Sequence, residues 1–143
     1  MDTKGRMALP TRYRELVQNH CEGQMVVTID TEEQCLLLYP LAEWELIEKK
    51  IEALPSFNRA ARRIQRLLIG HATDLEIDGN GRILLPAKLR EYAVLEKKLV
   101  LIGQGKKFEI WSEDKWEEKR VIWLKEEAEG NDQLPDELQS LSL

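Results

Sequence analysis

The chain has 143 residues, 43% of them hydrophobic and 33% charged, with a formal net charge of −5. This composition is typical of a folded globular protein and argues against a disordered chain. No apolar run approaches the roughly 20 residues of a membrane span, and the first residues are polar where a signal peptide would be apolar. We therefore expect a cytoplasmic protein.

The first part of the chain is predicted to form a turn, a short strand, a helix, a hairpin and two further helices. The turn is Asp2-x-x-Gly5-Arg6, in which the aspartate can accept backbone N–H bonds and the glycine permits a positive φ. Pro10 suits the first turn of a helix. The predicted strands cover residues 7–9, 25–29 and 35–39, and the predicted helices cover residues 10–18, 41–54 and 58–69.

The same pattern recurs in the second part of the chain. Asp78-x-x-Gly81-Arg82 repeats the first turn, and the matches continue to Leu-Pro and to a final arginine, Arg14 in the first copy and Arg90 in the second. Such internal repetition indicates one small structural unit present twice. The predicted strands here cover residues 83–85, 99–102 and 107–111, and the predicted helices cover residues 86–93 and 112–129.

These elements predict a four-part organisation. The first repeat covers residues 1–54, a connecting helix 55–74, the second repeat with its C-terminal helix 75–124, and an acidic tail 125–143. Within the tail, residues 131–143 are expected to be loose, with weak docking possible through Leu138, Leu141 and Leu143.

The distribution of charge permits nucleic-acid binding in spite of the negative total. Residues 1–90 contain 13 basic and 13 acidic residues, whereas residues 91–143 contain 8 basic and 13 acidic ones. All arginines except Arg120 lie in the first 90 residues. Because the planar guanidinium matches phosphates and guanine edges, this part of the chain is the candidate for nucleic-acid contact.

No catalytic or metal-binding constellation is recognisable. The nucleophile elbow, the phosphate-binding P-loop and the His-Glu-x-x-His zinc motif are all absent. Gly79-Asn80-Gly81 lacks the third glycine and the long helix of a dinucleotide site. Cys21 and Cys35 have no metal-ligand spacing and are interpreted as small apolar residues. We expect no enzyme, no cofactor and no metal.

The arginines of the two repeated turns have two possible roles. In the structural one, Asp2 and Asp78 cap their turns and form ion pairs with Arg6 and Arg82, which in exposed positions contribute at most about 1 kcal/mol. In the functional one, the rigid turns also present both arginines to a DNA groove. The two roles are compatible, since a carboxylate that orients an arginine also preorganises it.

A second group of arginines forms one stripe on the connecting helix. The simplest interpretation is a solvated face. The alternatives are contact with the acidic helix of another copy, through Glu113, Glu117 and Glu118, or a weaker role in DNA contact. The stripe consists of Arg59, Arg62, Arg63 and Arg66. The four tryptophans are expected in the core rather than on a base-stacking surface; they are Trp44, Trp111, Trp116 and Trp123.

Taken together, these segments resemble the MraZ family of bacterial transcriptional regulators. The resemblance rests on the doubled Asp-x-x-Gly-Arg turn with its Leu-Pro, on residues 35–44 and on residues 63–72, and it spans nearly the whole chain. It implies an α+β fold with a mainly β core, in which two AbrB/MazE-like swapped-hairpin repeats with short helices form one β-barrel.

The resemblance also implies a function. Members assemble into a ring of identical subunits on nucleoid DNA, bind G-rich direct repeats, and repress the division and cell-wall operon together with their own gene. Carried over by position, Arg6 and Arg82 are the DNA-reading residues, and Lys4 with Arg12 or Arg14 supports phosphate contact. An antitoxin-like protein-interaction module on the same fold is the alternative.

The two copies differ in ways that bear on these expectations. Residues 75–78 precede the second turn, whereas only Met1 precedes the first, so the first repeat is expected to lack an edge strand. Lys4, Arg12 and Arg14 surround the first turn, while Asn80 replaces the lysine in the second. We therefore expect the first turn to do most of the DNA reading and the second to serve structure and assembly.

Overall fold

The computed structural model describes residues 1–130 and 134–141, without the side chain of Gln139. It divides into two compact units, residues 1–113 and residues 114–143, and each is described by itself. The strands are β1 Arg6–Ala8, β2 Gln24–Ile29, β3 Leu36–Pro40, β4 Thr73–Glu76, β5 Arg82–Leu84, β6 Leu99–Gln104 and β7 Lys107–Ser112. The helices are α1 Thr11–Cys21, α2 Leu41–Glu52, α3 Arg59–Gly70, α4 Ala87–Tyr92, α5 Glu113–Glu129 and α6 Asp136–Gln139.

The strands of the first unit form an open five-stranded sheet and a separate two-stranded ribbon. The sheet has the order β4-β2-β3-β7-β6, and the ribbon pairs β1 with β5. All pairings are antiparallel. Three of them join a strand of the first sequence copy to a strand of the second: β1 with β5, β2 with β4 and β3 with β7. The two copies therefore share one structure and are not two separate domains.

One hydrophobic cluster lies between the ribbon and one face of the sheet. Because strand side chains alternate between faces, Met25, Val27 and Ile29 of β2 enter this cluster together with Leu36 and Leu38 of β3. The ribbon contributes Met7 and Ile83, which lie opposite each other in the register and are 6% and 0% exposed. Burial of this central pair attaches the ribbon to the core.

The other face of the sheet carries a second cluster beneath α2 and α3. Val26, Leu37 and Tyr39 point to this side, and Trp44 and Ile51 of α2 cover them. Residues Leu68 and Ile69 of α3 pack on the same cluster, although Leu67 also reaches the first one. The hydroxyl of Thr28 donates to the Leu68 carbonyl at 2.7 Å, which ties α3 to β2.

The second unit contains α5 from Asp114 onwards and the short α6. The Trp116 and Trp123 rings of α5 contact each other edge to face, with centroids 5.7 Å apart. Apolar side chains elsewhere on α5 are exposed, among them Val121, Ile122 and Leu124. No helix in the described part of the chain is long and apolar enough to cross a membrane.

Most of the predicted helices and strands are present, with ends shifted by one to three residues. The expected closed barrel is wrong. The structure is a mixed α/β fold with antiparallel sheets, but the described strands do not close into a barrel. The ribbon strands are only three residues long and pair with each other, so β4 and β6 remain edges of the open sheet.

In the tail, α6 is helical, Leu138 and Leu141 are exposed, and Leu143 lies outside the described residues. That the first repeat lacks a strand stays a prediction.

Candidate nucleic-acid interface

The two Asp-x-x-Gly-Arg turns have the same hydrogen-bond pattern. In the first, Oδ1 of Asp2 accepts the backbone N–H groups of Lys4 at 3.0 Å and Arg6 at 2.9 Å. Its Oδ2 accepts Nε of Arg6 at 2.8 Å. In the second turn, Oδ1 of Asp78 accepts the N–H of Asn80 at 2.8 Å and of Arg82 at 3.0 Å. Each aspartate thus orders the loop that precedes a ribbon strand.

These bonds favour the ionised form of both aspartates. For Asp2, the backbone N–H of Arg6 is the main cause of a pKa below the usual value, and the Arg6 side chain and the Lys4 N–H add to it. For Asp78, the backbone N–H of Arg82 is again the main cause of the lowered pKa, followed by the N–H of Asn80. Desolvation opposes the shift in both cases. Each turn therefore contains a carboxylate that stays charged into acid solution.

The glycines of the turns are required for two reasons. Gly5 and Gly81 have φ of +88° and +74°, a region that side chains disfavour. Each also has a guanidinium packed against its backbone, and the arginine comes from the other copy. A Cβ at Gly5 would lie 2.6 Å from Cζ of Arg90, and a Cβ at Gly81 would overlap the side chain of Arg14. A side chain at either position would displace the arginine.

Backbone hydrogen bonds also connect each turn to the other copy of the repeat. The N–H of Leu9 donates to the Gly81 carbonyl at 3.0 Å, and the N–H of Leu85 donates to the Gly5 carbonyl at 2.9 Å. Arg14 also donates to the Leu9 carbonyl at 2.5 Å, and Arg90 to the Leu85 carbonyl at 3.0 Å. Each turn is therefore held by the strand end and the arginine of the opposite copy.

Arg6 and Arg82 lie together on the outer face of the ribbon. Because Met7 and Ile83 point into the core, alternation directs the neighbouring side chains of both strands to solvent. Nη1 of Arg82 is 3.9 Å from Oδ2 of Asp2, the same oxygen that binds Arg6. Nε of Arg82 is 3.5 Å from Oδ2 of Asp78. The two guanidinium groups thus form one site around the carboxylate of Asp2.

The remaining predicted residues have different surroundings. Lys4 is exposed on the first turn. Arg12 is exposed, donates to the Tyr13 hydroxyl at 2.7 Å, and lies 4.7 Å from the centre of the Tyr13 ring. Arg14 directs its guanidinium towards Gly81, because Gly81 leaves the space for it. Its expected support of phosphate contact stays a prediction.

Arg90 was missing from the residues predicted for the site. Its contact with Gly5 makes it the exact structural counterpart of Arg14 in the pattern of the repeat. The signal was present in the sequence, since Arg90 matches Arg14 at the same position after the turn. The pairing across copies was not visible there, because it depends on how β1 and β5 come together.

One group of possible metal ligands occurs elsewhere in the described residues. Asp30, Cys35 and Glu109 each place a ligand atom within 4.8 Å of the others. The thiol of Cys35 donates to Oδ2 of Asp30 at 3.6 Å, and the indole N–H of Trp111 donates to Glu109 at 2.9 Å. Burial, assisted by the nearby carboxylates, raises the pKa of Cys35. The Cys35 thiol is therefore held in its neutral, protonated form.

Comparison with known proteins gives full-length relatives. A family model described as "MraZ protein, putative antitoxin-like" matches residues 1–67 and again residues 68–128. A protein named Transcriptional regulator MraZ from Legionella pneumophila (strain Corby) is 61% identical over 143 residues, which is 100% of this chain and 94% of the relative. Proteins with the same name from Coxiella burnetii (strain Dugway 5J108-111) and Halorhodospira halophila are 58% and 55% identical, with the same coverage. The chain therefore belongs to the MraZ family, a family of transcriptional regulators and not of enzymes.

Proposed function

We propose that this chain is a sequence-specific DNA-binding repressor that reads base edges with Arg6 and Arg82. The observation that carries the proposal is the position of both guanidinium groups on the outer face of the β1–β5 ribbon, around the carboxylate of Asp2. A preorganised arginine loses less freedom on binding and presents its donors in a defined direction.

The two-stranded β1–β5 ribbon is the kind of element that can enter the major groove of B-DNA. That groove admits a two-stranded β-ribbon, and arginine bound to O6 and N7 of guanine is the commonest specific contact there. Ala8 and Leu84 share the outer face with the two arginines and are exposed. Both are short or apolar, so they allow close approach and leave the reading of G-rich DNA to the arginines.

One ribbon contacts few base pairs, so a single subunit would bind weakly. Several subunits in a ring would bind evenly spaced direct repeats together, and effective concentration would then raise the affinity. We propose such a ring on the promoter of the division and cell-wall operon, where the protein represses that operon and its own gene and resides on the nucleoid in the cytoplasm. The cross-copy pairing of β1 with β5 and β3 with β7 supports the AbrB-like swapped-hairpin interpretation of the fold.

Phosphate contact would come from side chains around the ribbon. Lys4 and Arg12 are exposed near the first turn, whereas Asn80 occupies the position of Lys4 in the second. Their charge supports the expectation that the first turn contributes more to affinity. Since Arg14 packs on Gly81, its contribution would be to hold the second turn in position.

A binding titration on the chain's own upstream DNA tests the proposal. Fluorescence anisotropy would compare the wild-type chain with Arg6→Ala and Arg82→Ala, and with Lys50→Ala as a control that removes one exposed charge from α2. We expect each arginine variant to weaken specific binding by about tenfold to a hundredfold per subunit, which is the usual range for a lost guanine contact. Binding by both arginine variants equal to that of Lys50→Ala would overturn the proposal.

The family description favours a second candidate, an antitoxin-like module that binds a protein partner. The same titration separates the two functions. Salt-sensitive binding that needs several G-rich repeats supports the repressor. No binding at micromolar protein, with the chain folded by circular dichroism, would support the protein-interaction module instead.

A further inference from the structure

Helix α3 carries a positive surface that the DNA site does not explain. Its four arginines recur at three- and four-residue intervals and form one exposed face. No acidic residue occurs between Glu52 and Asp74 in the sequence. None of these arginines forms an ion pair with a described residue. We call this surface the arginine face; it consists of Arg59, Arg62, Arg63 and Arg66.

The helix that carries the arginine face is firmly anchored. Asn58 caps its N-terminus by accepting the N–H of Ala61 at 3.0 Å. The amide of Gln65 donates to the Ile51 carbonyl at 3.0 Å, near the end of α2. Thr28 binds the Leu68 carbonyl from β2. The arginine face is thus an unpartnered surface on a rigid support, which is how binding surfaces are commonly built.

Two of the four arginines lie at the end of the helix where positive charges are least favourable. A helix N-terminus is electropositive, so acidic residues stabilise the first turn and arginines destabilise it. The first turn of α3 contains no acidic residue, while Arg59 and Arg62 lie at its start. A negatively charged partner would relieve this repulsion.

The C-terminal end of α5 shows the opposite arrangement. Its last turn contains no basic residue, although a helix C-terminus favours cations. Glu126, Glu127 and Glu129 lie there, and none of them forms an ion pair with another described residue. From Glu126 onwards the sequence contains no lysine or arginine. We call this surface the acidic turn; it consists of Glu126, Glu127 and Glu129.

We propose that the arginine face of one copy of the chain binds the acidic turn of a second copy. The two surfaces have opposite charge. Each also places charge at a helix end that disfavours it, so one contact would stabilise the N-terminus of α3 and the C-terminus of α5. The inference rests on the self-assembly in the proposed function and identifies the surfaces that produce it. Because different surfaces meet, the contact is head-to-tail, which closes into a ring when the rotation from one copy to the next divides a full turn evenly.

Apolar side chains beside both surfaces fit such a contact. Phe57 precedes Asn58, the N-cap of α3, and is 91% exposed. On α5, Val121 and Leu124 are 60% and 56% exposed. Stable interfaces combine an apolar centre with a charged rim, and aromatic residues and arginine are enriched in them. Phe57 of one copy would pack against Val121 and Leu124 of the other.

The ion pairs within α5 favour its C-terminal end over its start as the partner surface. Sequence reasoning named Glu113, Glu117 and Glu118. Of these, Glu117 lies 3.9 Å from Arg120, and Glu118 lies 3.7 Å from Lys115, both within α5. Their charges are already compensated along the helix, whereas those of the acidic turn are not.

DNA is a less suitable partner for the arginine face. The ribbon packs on one face of the sheet, and α2 with Leu68 and Ile69 of α3 packs on the other. A duplex held by Arg6 and Arg82 would therefore lie on the side away from most of α3. DNA would also leave the acidic turn without a cation, whereas a second copy accounts for both surfaces.

Charge reversal in the full chain tests the inference. One variant carries Arg59→Glu, Arg62→Glu and Arg63→Glu, and a second carries Glu126→Arg, Glu127→Arg and Glu129→Arg. Each alone places like charges across the contact, so we expect self-association at least about tenfold weaker by sedimentation velocity. Mixed in equal amounts, the variants have complementary surfaces at every contact, and the assembly should reform with alternating subunits.

Controls separate this contact from folding and from DNA binding. Lys49→Glu with Lys50→Glu changes two exposed charges on α2 and should leave assembly unchanged. Replacing the three arginines by glutamine removes charge without repulsion and should weaken assembly less than reversal does. Thermal unfolding by circular dichroism checks that every variant folds.

The outcomes distinguish failure of the proposed contact between copies from failure of the proposed repressor function. Wild-type assembly in both reversed variants, or no recovery on mixing, would overturn the contact and leave the repressor proposal standing. Unchanged assembly with weaker binding to DNA of any sequence would assign the arginine face to phosphates instead. A wild-type chain that neither assembles nor binds its upstream DNA would remove both proposals together.

Discussion

The guanidinium of Arg14 lies where a side chain on Gly81 would have to be, although the two residues belong to different copies of the repeat. Gly5 and Arg90 repeat the contact with the copies exchanged. These two contacts, together with the backbone bonds of Leu9 and Leu85, hold the turns that present Arg6 and Arg82. The DNA-reading geometry we propose thus depends on residues that never touch the base pairs.

Alanine at the turn glycines should destabilise the fold. Gly81→Ala and Gly5→Ala would combine a disfavoured positive φ with displacement of an arginine, so we expect each to lower the free energy of unfolding by about 1–3 kcal/mol. Urea denaturation monitored by tryptophan fluorescence measures the change. Gly79→Ala is the matched control, since a Cβ there meets nothing within 4 Å. Equal effects at all three glycines would show that close packing is not the cause.

Lysine in place of Arg6 should show whether DNA recognition depends on the charge of this side chain or on its planar shape. Arg6→Lys keeps the positive charge but loses the planar fork that binds O6 and N7 of guanine together. We expect discrimination between G-rich repeats and random DNA to fall about tenfold or more, while the slope of affinity against salt concentration stays close to wild type. Competition binding at several salt concentrations measures both quantities. A variant with wild-type discrimination would mean that Arg6 contacts phosphate only.

The aspartates of the turns should make stability sensitive to acid. Asp2 and Asp78 have pKa values lowered by folding, so their contribution is present above the unfolded value of 3.8 and is lost as the pH falls through the lower, folded values. We expect Asp78→Asn to be less stable than wild type at pH 7, and we expect the difference to be smaller at pH 2. Urea midpoints at the two pH values give the comparison. The difference persisting unchanged in acid would be inconsistent with the lowered pKa.

Shortening side chains on the two faces of the ribbon should change stability by very different amounts. Ile83 is fully buried beneath the ribbon, and Ile83→Ala should cost about 2–5 kcal/mol of stability. Leu84 is 56% exposed on the outer face, so Leu84→Ala should change stability by less than about 0.5 kcal/mol. Chemical denaturation of both variants tests this assignment. A large loss at Leu84 would mean that the outer face is covered in the folded protein.

The repeated turn, the amphipathic helices and the hairpins were predictable from the sequence because they depend on local chemistry. Aspartate, glycine and proline have strong positional preferences, and helix and strand periods appear directly in the spacing of apolar residues. The same repetition supported the resemblance to the family, and the family was confirmed by its full-length relatives.

The pairing of the two copies was decided only in the tertiary structure. In principle, β1 and β5 could each pair with another strand of the same copy or with each other. Both are only three residues long, and they are alike in sequence. Burial of Met7 against Ile83 joins them across the copies, and this brings Arg90 to Gly5 and Arg14 to Gly81. Local sequence therefore determined which residues form the turns. Long-range packing determined which arginines hold the turns, because a guanidinium contact between residues 67 positions or more apart depends on the path of the whole chain.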